Sequence, residues 1–205
     1  MKKFILTMLL VMGLCIFTGC TYTLDVTFND DGTYNTTEAV WFSFQDFKDL
    51  ADLTSAEDRS EEEQAMIDSL ETEDDFEAYY RAEAEKAGEE LYVKEIDGVK
   101  YFATELSTET AKQGEEGENV IRDNAFRLEV DNASQLEELL SDSSSMTEDD
   151  QALLDYLTNN TKYILTITFP EEVVYTNGTL SSDKKTVEFK FSLTDGNIVL
   201  YAYTD

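Results

Sequence analysis

Residues 21–44 read TYTLDVTF, then NDDG, then TYNTTEAVWFSF. Two alternating stretches joined by a short polar run ending in glycine describe an antiparallel hairpin. Successive residues of a strand face opposite sides, and Gly32 supplies the positive φ that a tight turn needs. The other end of the chain repeats the pattern. KYILTITF (162–169) alternates and stops at Pro170, the single proline. EVVYTNG (172–178), TVEFKFSL (186–193) and IVLYAYT (198–204) come next, the last two separated by Thr194-Asp195-Gly196-Asn197. Closer to the middle, ELYVKEI (90–96) and VKYFATEL (99–106) flank Asp97-Gly98 as a second hairpin, and AFRLEV (125–130) is a further short strand.

The remaining stretches carry helical spacing. Phe44, Phe47 and Leu50 recur every third residue. EDRSEEEQ (57–64) is nearly all charge and reads as a solvated helix face or a mobile insertion. Thr72 followed by Asp75 is a capping pair, after which Phe76, Tyr79, Tyr80 and Ala84 form one stripe, ended by Gly88. Ser134 with Glu137 and Thr147 with Asp150 mark two more helix starts, the second helix carrying Leu153, Leu154 and Leu157. STETAKQGEEGEN (107–119) has no apolar pattern and reads as a loop. Strands at both ends with helices between them predict an α+β fold. The expected form is an antiparallel β-sheet built from N- and C-terminal hairpins, covered on one face by helices from the middle of the chain. A single domain over 20–205 is expected, with an acidic helical insertion around 54–88.

Residues 1–19 have another character. Lys2 and Lys3 precede an apolar run from Phe4 to Phe17, too short to span a bilayer comfortably and shaped like a secretory signal. Phe17-Thr18-Gly19-Cys20 resembles the lipobox of bacterial lipoproteins. That resemblance implies cleavage after Gly19, with the Cys20 thiol as the nucleophile that accepts a diacylglyceryl group. Two or more acyl chains hold a protein stably, at about 0.8 kcal/mol per buried methylene, where one is marginal. The expected location is the cell membrane, lipid-anchored, on the extracytoplasmic face. Cys15 belongs to the discarded segment, so the mature domain would contain no thiol and no disulfide.

Charge and composition narrow the function. The chain holds 45 acidic and 15 basic residues, a net of −30, and loss of Lys2 and Lys3 makes it about −32. Such a surface repels phosphate backbones, so nucleic acid is not an expected partner, while cations, basic proteins and neutral sugars remain open. There is no histidine, which rules out Ser-His-Asp and Cys-His triads. Thr27-x-Asn29-x-Asp31-Gly32 with Glu38 partly fits a calcium loop but lacks the first aspartate, and a hairpin turn explains it without metal. Ser182-x-x-Lys185 has the spacing of a serine–lysine nucleophile but sits in the polar turn LSSDKKT. No catalytic residue, cofactor or metal site is therefore expected.

"NDDGTY" after the Cys20 anchor, "DGVKYFATEL", "FRLEV", "TFPEEVVYTNG" and "TVEFKFSL" together resemble the LppM-domain lipoproteins of bacterial envelopes. The resemblance implies an α+β sandwich displayed on the membrane, with lipid or glycolipid binding as its function. The expected role is a non-enzymatic envelope module that binds a lipid, a glycolipid or another envelope component. The alternative is a structural or protein-interaction domain that meets basic cell-wall partners through its acidic surface. A cavity between sheet and helices favours the first, and a filled core with a mobile acidic insertion favours the second.

Overall fold

The computed structural model describes residues 21–53, 61–112, 121–122, 125–134 and 148–205. The expected first hairpin is β1 (Thr21–Phe28) and β2 (Thr33–Ser43), antiparallel with Phe28 opposite Tyr34. Its turn is closed from within. Asp31 Oδ1 accepts from the Thr33 amide (3.0 Å) and hydroxyl (2.6 Å), Asn29 Nδ2 donates to Thr33 Oγ1 (2.8 Å), and Gly32 takes φ +79°.

β2 runs directly into helix α1 (Phe44–Leu53), capped where strand meets helix. The Asp46 carboxylate accepts from the Ser43 amide (2.8 Å) and hydroxyl (2.7 Å), and the Asp46 amide donates back to Ser43 Oγ (3.1 Å). Burial pushes the Asp46 carboxyl above its ordinary value, and the Ser43 bonds oppose that shift. Helices α2 (Glu61–Ser69) and α3 (Glu73–Ala87) come next. Thr72 and Asp75 form the expected capping box, and Gly88 ends α3 at φ +76°. The α3 stripe is core. Phe76 is 0% exposed, and the rings of Phe42, Phe44, Phe47, Tyr80 and Phe102 surround it at centroid distances of 4.6–5.8 Å. Residues 61–88 of the acidic insertion thus pack through an aromatic cluster, with Leu70, Ala84 and Leu91 completing it.

β3 (Tyr92–Ile96) and β4 (Val99–Ala103) form the second hairpin, with Asp97 and Gly98 both at positive φ as a two-residue turn requires. β4 pairs with the C-terminal end of β2 through Phe42 opposite Phe102. The first half of β2 pairs instead with β5 (Ser107–Lys112), and this corrects the loop expected over 107–119, of which 113–119 lie outside the described residues. β5 shows no strand pattern in the sequence because it carries no apolar face. It is held by the backbone ladder and by polar pairs such as Thr110 Oγ1 donating to Asn35 Oδ1 (2.8 Å).

Two short strands, β6 (Ile121–Arg122) and β7 (Ala125–Val130), precede α4 (Glu148–Asn160). Of the capping pairs expected at 134–137 and 147–150, Glu137 and Thr147 lie outside the described residues. The tail supplies β8 (Lys162–Thr168), β9 (Val173–Thr176), β10 (Thr179–Leu180), β11 (Thr186–Ser192) and β12 (Ile198–Thr204). The α+β class holds, with a large, mostly antiparallel sheet in the order β10-β11-β8-β1-β2-β4-β3, β5 also on β2. One pairing is parallel: β1 lies beside β8, Thr21 opposite Lys162.

A second sheet, β6-β7-β12-β9, shares with the helices the task of covering the large one. Tyr22, Leu24, Val26 and Phe28 of β1, Tyr163, Leu165 and Ile167 of β8, and Val187, Phe189 and Phe191 of β11 face Phe126, Val130, Leu200 and Ala202 across the sandwich. The chain passes between the sheets at a corner after β11. A single 3₁₀ turn over Leu193–Asp195 ends at Gly196 with φ +70°, and the buried Asn132 side chain clamps it by donating to the carbonyls of Ser192 and Gly196 (both 2.9 Å).

The opposite face of the large sheet is covered by its own β3–β4 hairpin. Trp41 Nε1 donates to Thr23 Oγ1 (2.8 Å) beneath it, Lys94 lies 5.6 Å over the Trp41 ring, and Lys190 of β11 bonds Asp97 at the hairpin tip (2.8 and 3.0 Å).

Close approach, not positive φ, fixes Gly178. A Cβ there would stand 2.5 Å from Val187 Cγ1 and 2.8 Å from the Glu188 carbonyl oxygen. Gly178→Ala should therefore cost about 1–3 kcal/mol as the β9–β10 connection is forced off β11, read as a lower denaturant midpoint with unchanged slope.

Candidate interaction surface

Cys20 and Gly19 lie outside the described residues, but Thr21, immediately after them, has a definite place. Thr21 is the first residue of β1 and is buried, so Cys20 precedes a central strand of the sheet directly. The end of the molecule beside Cys20 holds the starts of β1 and β8, the end of β11 and the Ser43 cap of α1.

The two polar motifs stay apart from any reactive arrangement. Asp31 is occupied by its own turn, and Glu38 sits in mid-β2 opposite Leu24. Burial pushes the Glu38 carboxyl up; the Tyr22 hydroxyl bond lowers it, and the neighbouring Glu109 adds to the rise. A carboxyl raised on folding contributes stability below its unfolded value and loses it as pH rises through the folded value. Glu38→Gln should therefore leave stability unchanged in acid and raise it modestly at neutral pH, measured as paired urea melts across that range. In the second motif, Lys185 Nζ donates to the Pro170 carbonyl and its amide to Asp183 Oδ1 (3.0 Å), while Asp183 also takes the Ser181 hydroxyl. Ser182 and Lys185 thus belong to the β10–β11 turn. Among the described residues, no group of three or more Cys, Asp or Glu side chains could hold a metal ion, and no helix is long and apolar enough to cross a membrane.

Among the described residues, the interior between the sheets is closely filled. Two voids lie there, one between Phe28, Tyr34 and Phe126 and the other between Tyr22, Tyr163 and Phe191, both bounded by Leu128 and Leu165. Each measures about 10 Å³, roughly the minimum for one water and far short of an acyl chain.

The outer face of the second sheet is different. In β12 the even residues Leu200 and Ala202 point inward, which turns Val199, Tyr201 and Tyr203 outward. Tyr175 of β9 stands opposite Tyr203. Tyr175 is 63% exposed, Val174 58% and Tyr203 42%. The ring centroids lie 5.6 Å apart for Tyr175–Tyr201, 6.2 Å for Tyr175–Tyr203 and 6.0 Å for Tyr201–Tyr203. Hydrogen bonding with Tyr175 foremost holds the Tyr201 hydroxyl above its ordinary value, so it is neutral at physiological pH. Arg127, opposite Tyr201 in the register, is paired with Glu129 (2.5 Å).

Sequence reasoning did not single out these tyrosines. The signal was present in IVLYAYT as Tyr-x-Tyr alternating with the small Ala202, but which parity faces solvent depends on the corner at Gly196.

No family model matches the chain, and no curated protein does. Among solved structures, the chain is similar to the NMR structure of the folded domain of the Mycobacterium tuberculosis LppM protein, at 14% identity over 91% of each chain with a TM-score of 0.36.

Proposed function

We propose that this chain is a lipid-anchored bacterial envelope protein, attached through Cys20 after cleavage at Gly19, whose domain is a non-enzymatic binding module. The observation that carries the reading is the Phe17-Thr18-Gly19-Cys20 signal ending directly at β1, which joins the lipid to a central strand. A force on the anchor is then borne by a paired strand and not by a tail. The absence of histidine, and of any thiol once Cys20 carries lipid, supports the non-enzymatic part, since the usual bases and nucleophiles are missing.

The module works from its surface. The two voids that described residues bound between the sheets are too small for a lipid tail, while the tyrosine face offers aromatic area to a partner. Another envelope component is thus the favoured ligand over a lipid held inside. Native mass spectrometry of residues 21–205, released from cells that make the protein with its own envelope, tests this. A bare protein mass that does not change when lipid extract is added is expected. A stoichiometric adduct of lipid mass contradicts the surface reading and returns the function to lipid binding.

A further inference from the structure

We infer that the tyrosine face of β9 and β12 is a docking surface for a cationic, lysine- or arginine-bearing protein segment of the envelope. The inference rests on the reading of the chain as an anchored binding module and names its partner. Three observations converge on that occupant.

The first is position. β8 starts beside Thr21 and runs seven residues to Thr168, about 20 Å at the rise of a strand. At that far end the Phe169 amide bonds the Lys185 carbonyl (2.9 Å), the Val173 amide bonds the Lys184 carbonyl (2.7 Å) and Asp205 returns to Glu172 (3.2 Å). Tyr175 and Tyr203 stand next to this junction, so the tyrosine cluster lies toward the end of the sandwich remote from Cys20.

The second is charge. A chain of net −30 attracts cations over a Debye length and repels anionic polymers, and the one basic residue opposite Tyr201 is already engaged by Glu129. A cationic partner is the one that gains from this field; a neutral glycan gains nothing from it.

The third is the rings. Tyr175 is inclined 30° to each of Tyr201 and Tyr203, which are inclined 54° to each other, and Tyr175 and Tyr203 are exposed. The negative face of an aromatic ring attracts an ammonium or guanidinium group. Among the described residues the chain makes this contact within itself, with Lys48 over Phe44 and Lys94 over Trp41, both at 5.6 Å. An exposed tyrosine cluster is also what the centre of a protein interface requires.

The test uses residues 21–205 and a fluorescent alternating lysine–glycine peptide, with a matched glutamate–glycine peptide and a neutral cello-oligosaccharide as further probes. The lysine peptide should bind, weakening with salt, and the glutamate peptide should not. Tyr175→Ser combined with Tyr203→Ser should weaken lysine-peptide binding about tenfold at fixed salt, with the thermal midpoint little changed because both side chains are exposed. Tyr175→Phe combined with Tyr203→Phe, which keeps the rings, should retain binding. Lysine-peptide binding that the serine pair leaves intact overturns the inference, because the attraction would then be charge without a site. So does failure of the peptide to bind, or tighter binding of the oligosaccharide that the serine pair abolishes. None of these outcomes depends on Cys20, so the anchor stands or falls separately.

Discussion

Phe76→Ala should lower the stability of the domain by about 3–5 kcal/mol, the range for removing a fully buried phenylalanine. Phe76 is 0% exposed and touches aromatic rings from β2, α1, α3 and β4, so its loss opens a cavity at the point where the insertion meets the sheet. For a chain of this length that corresponds to a fall in Tm of about 6–20 °C. Val93→Ala on the neighbouring hairpin, at a side chain 43% exposed, should change stability by no more than about 0.5 kcal/mol. Calorimetry on both variants decides the matter. A loss under about 1 kcal/mol for Phe76→Ala would mean that α1 and α3 do not close over the sheet as described.

The second large effect is at the anchor. Cys20→Ser replaces the thiol with a hydroxyl that does not accept the diacylglyceryl group under the same conditions. Incorporation of labelled palmitate should fall to background, and the chain should keep residues 1–19. The folded domain itself should be unaffected, since the proposed role of Cys20 is lipid attachment alone and the first strand begins at Thr21. Palmitate labelling at the level of the unaltered protein would show that Cys20 is not the attachment point.

Much of this fold is legible in local sequence, because the features concerned are decided locally. Asn29-Asp30-Asp31-Gly32 and Asp97-Gly98 specify their turns through positive φ and side-chain bonds that need no distant contact. Thr72 and Asp75 announce α3 for the same reason. The features that local sequence does not carry are long-range. Thr21 lies opposite Lys162 in a parallel pair, across most of the chain, and nothing in TYTLDVTF or KYILTITF selects that partner over an antiparallel one. The tail crosses between the two sheets three times, from β8 to β9, from β9 to β10 and from β11 to β12, and at the last crossing the neighbours of Gly196 read equally well as an ordinary hairpin turn. β5 is hidden because its threonines pair with threonine and asparagine across the ladder and leave no period-two signal.

The site divides in the same way. Cys20 is a chemical motif and needs no fold to be seen. The tyrosines of β9 and β12 are a surface only once the register sets Tyr203 opposite Tyr175 and turns Ala202 inward. Alternation gives two faces, and the packing of Leu200 against the large sheet chooses between them.

The central claim is an envelope domain tied to lipid through its first strand. The intact mass of the protein extracted in detergent from the membranes of cells that make it tests that claim most directly. The expected mass is that of residues 20–205 plus a diacylglyceryl group, with or without one further acyl chain. A mass matching an unlipidated chain, whether cut elsewhere or uncut, contradicts it.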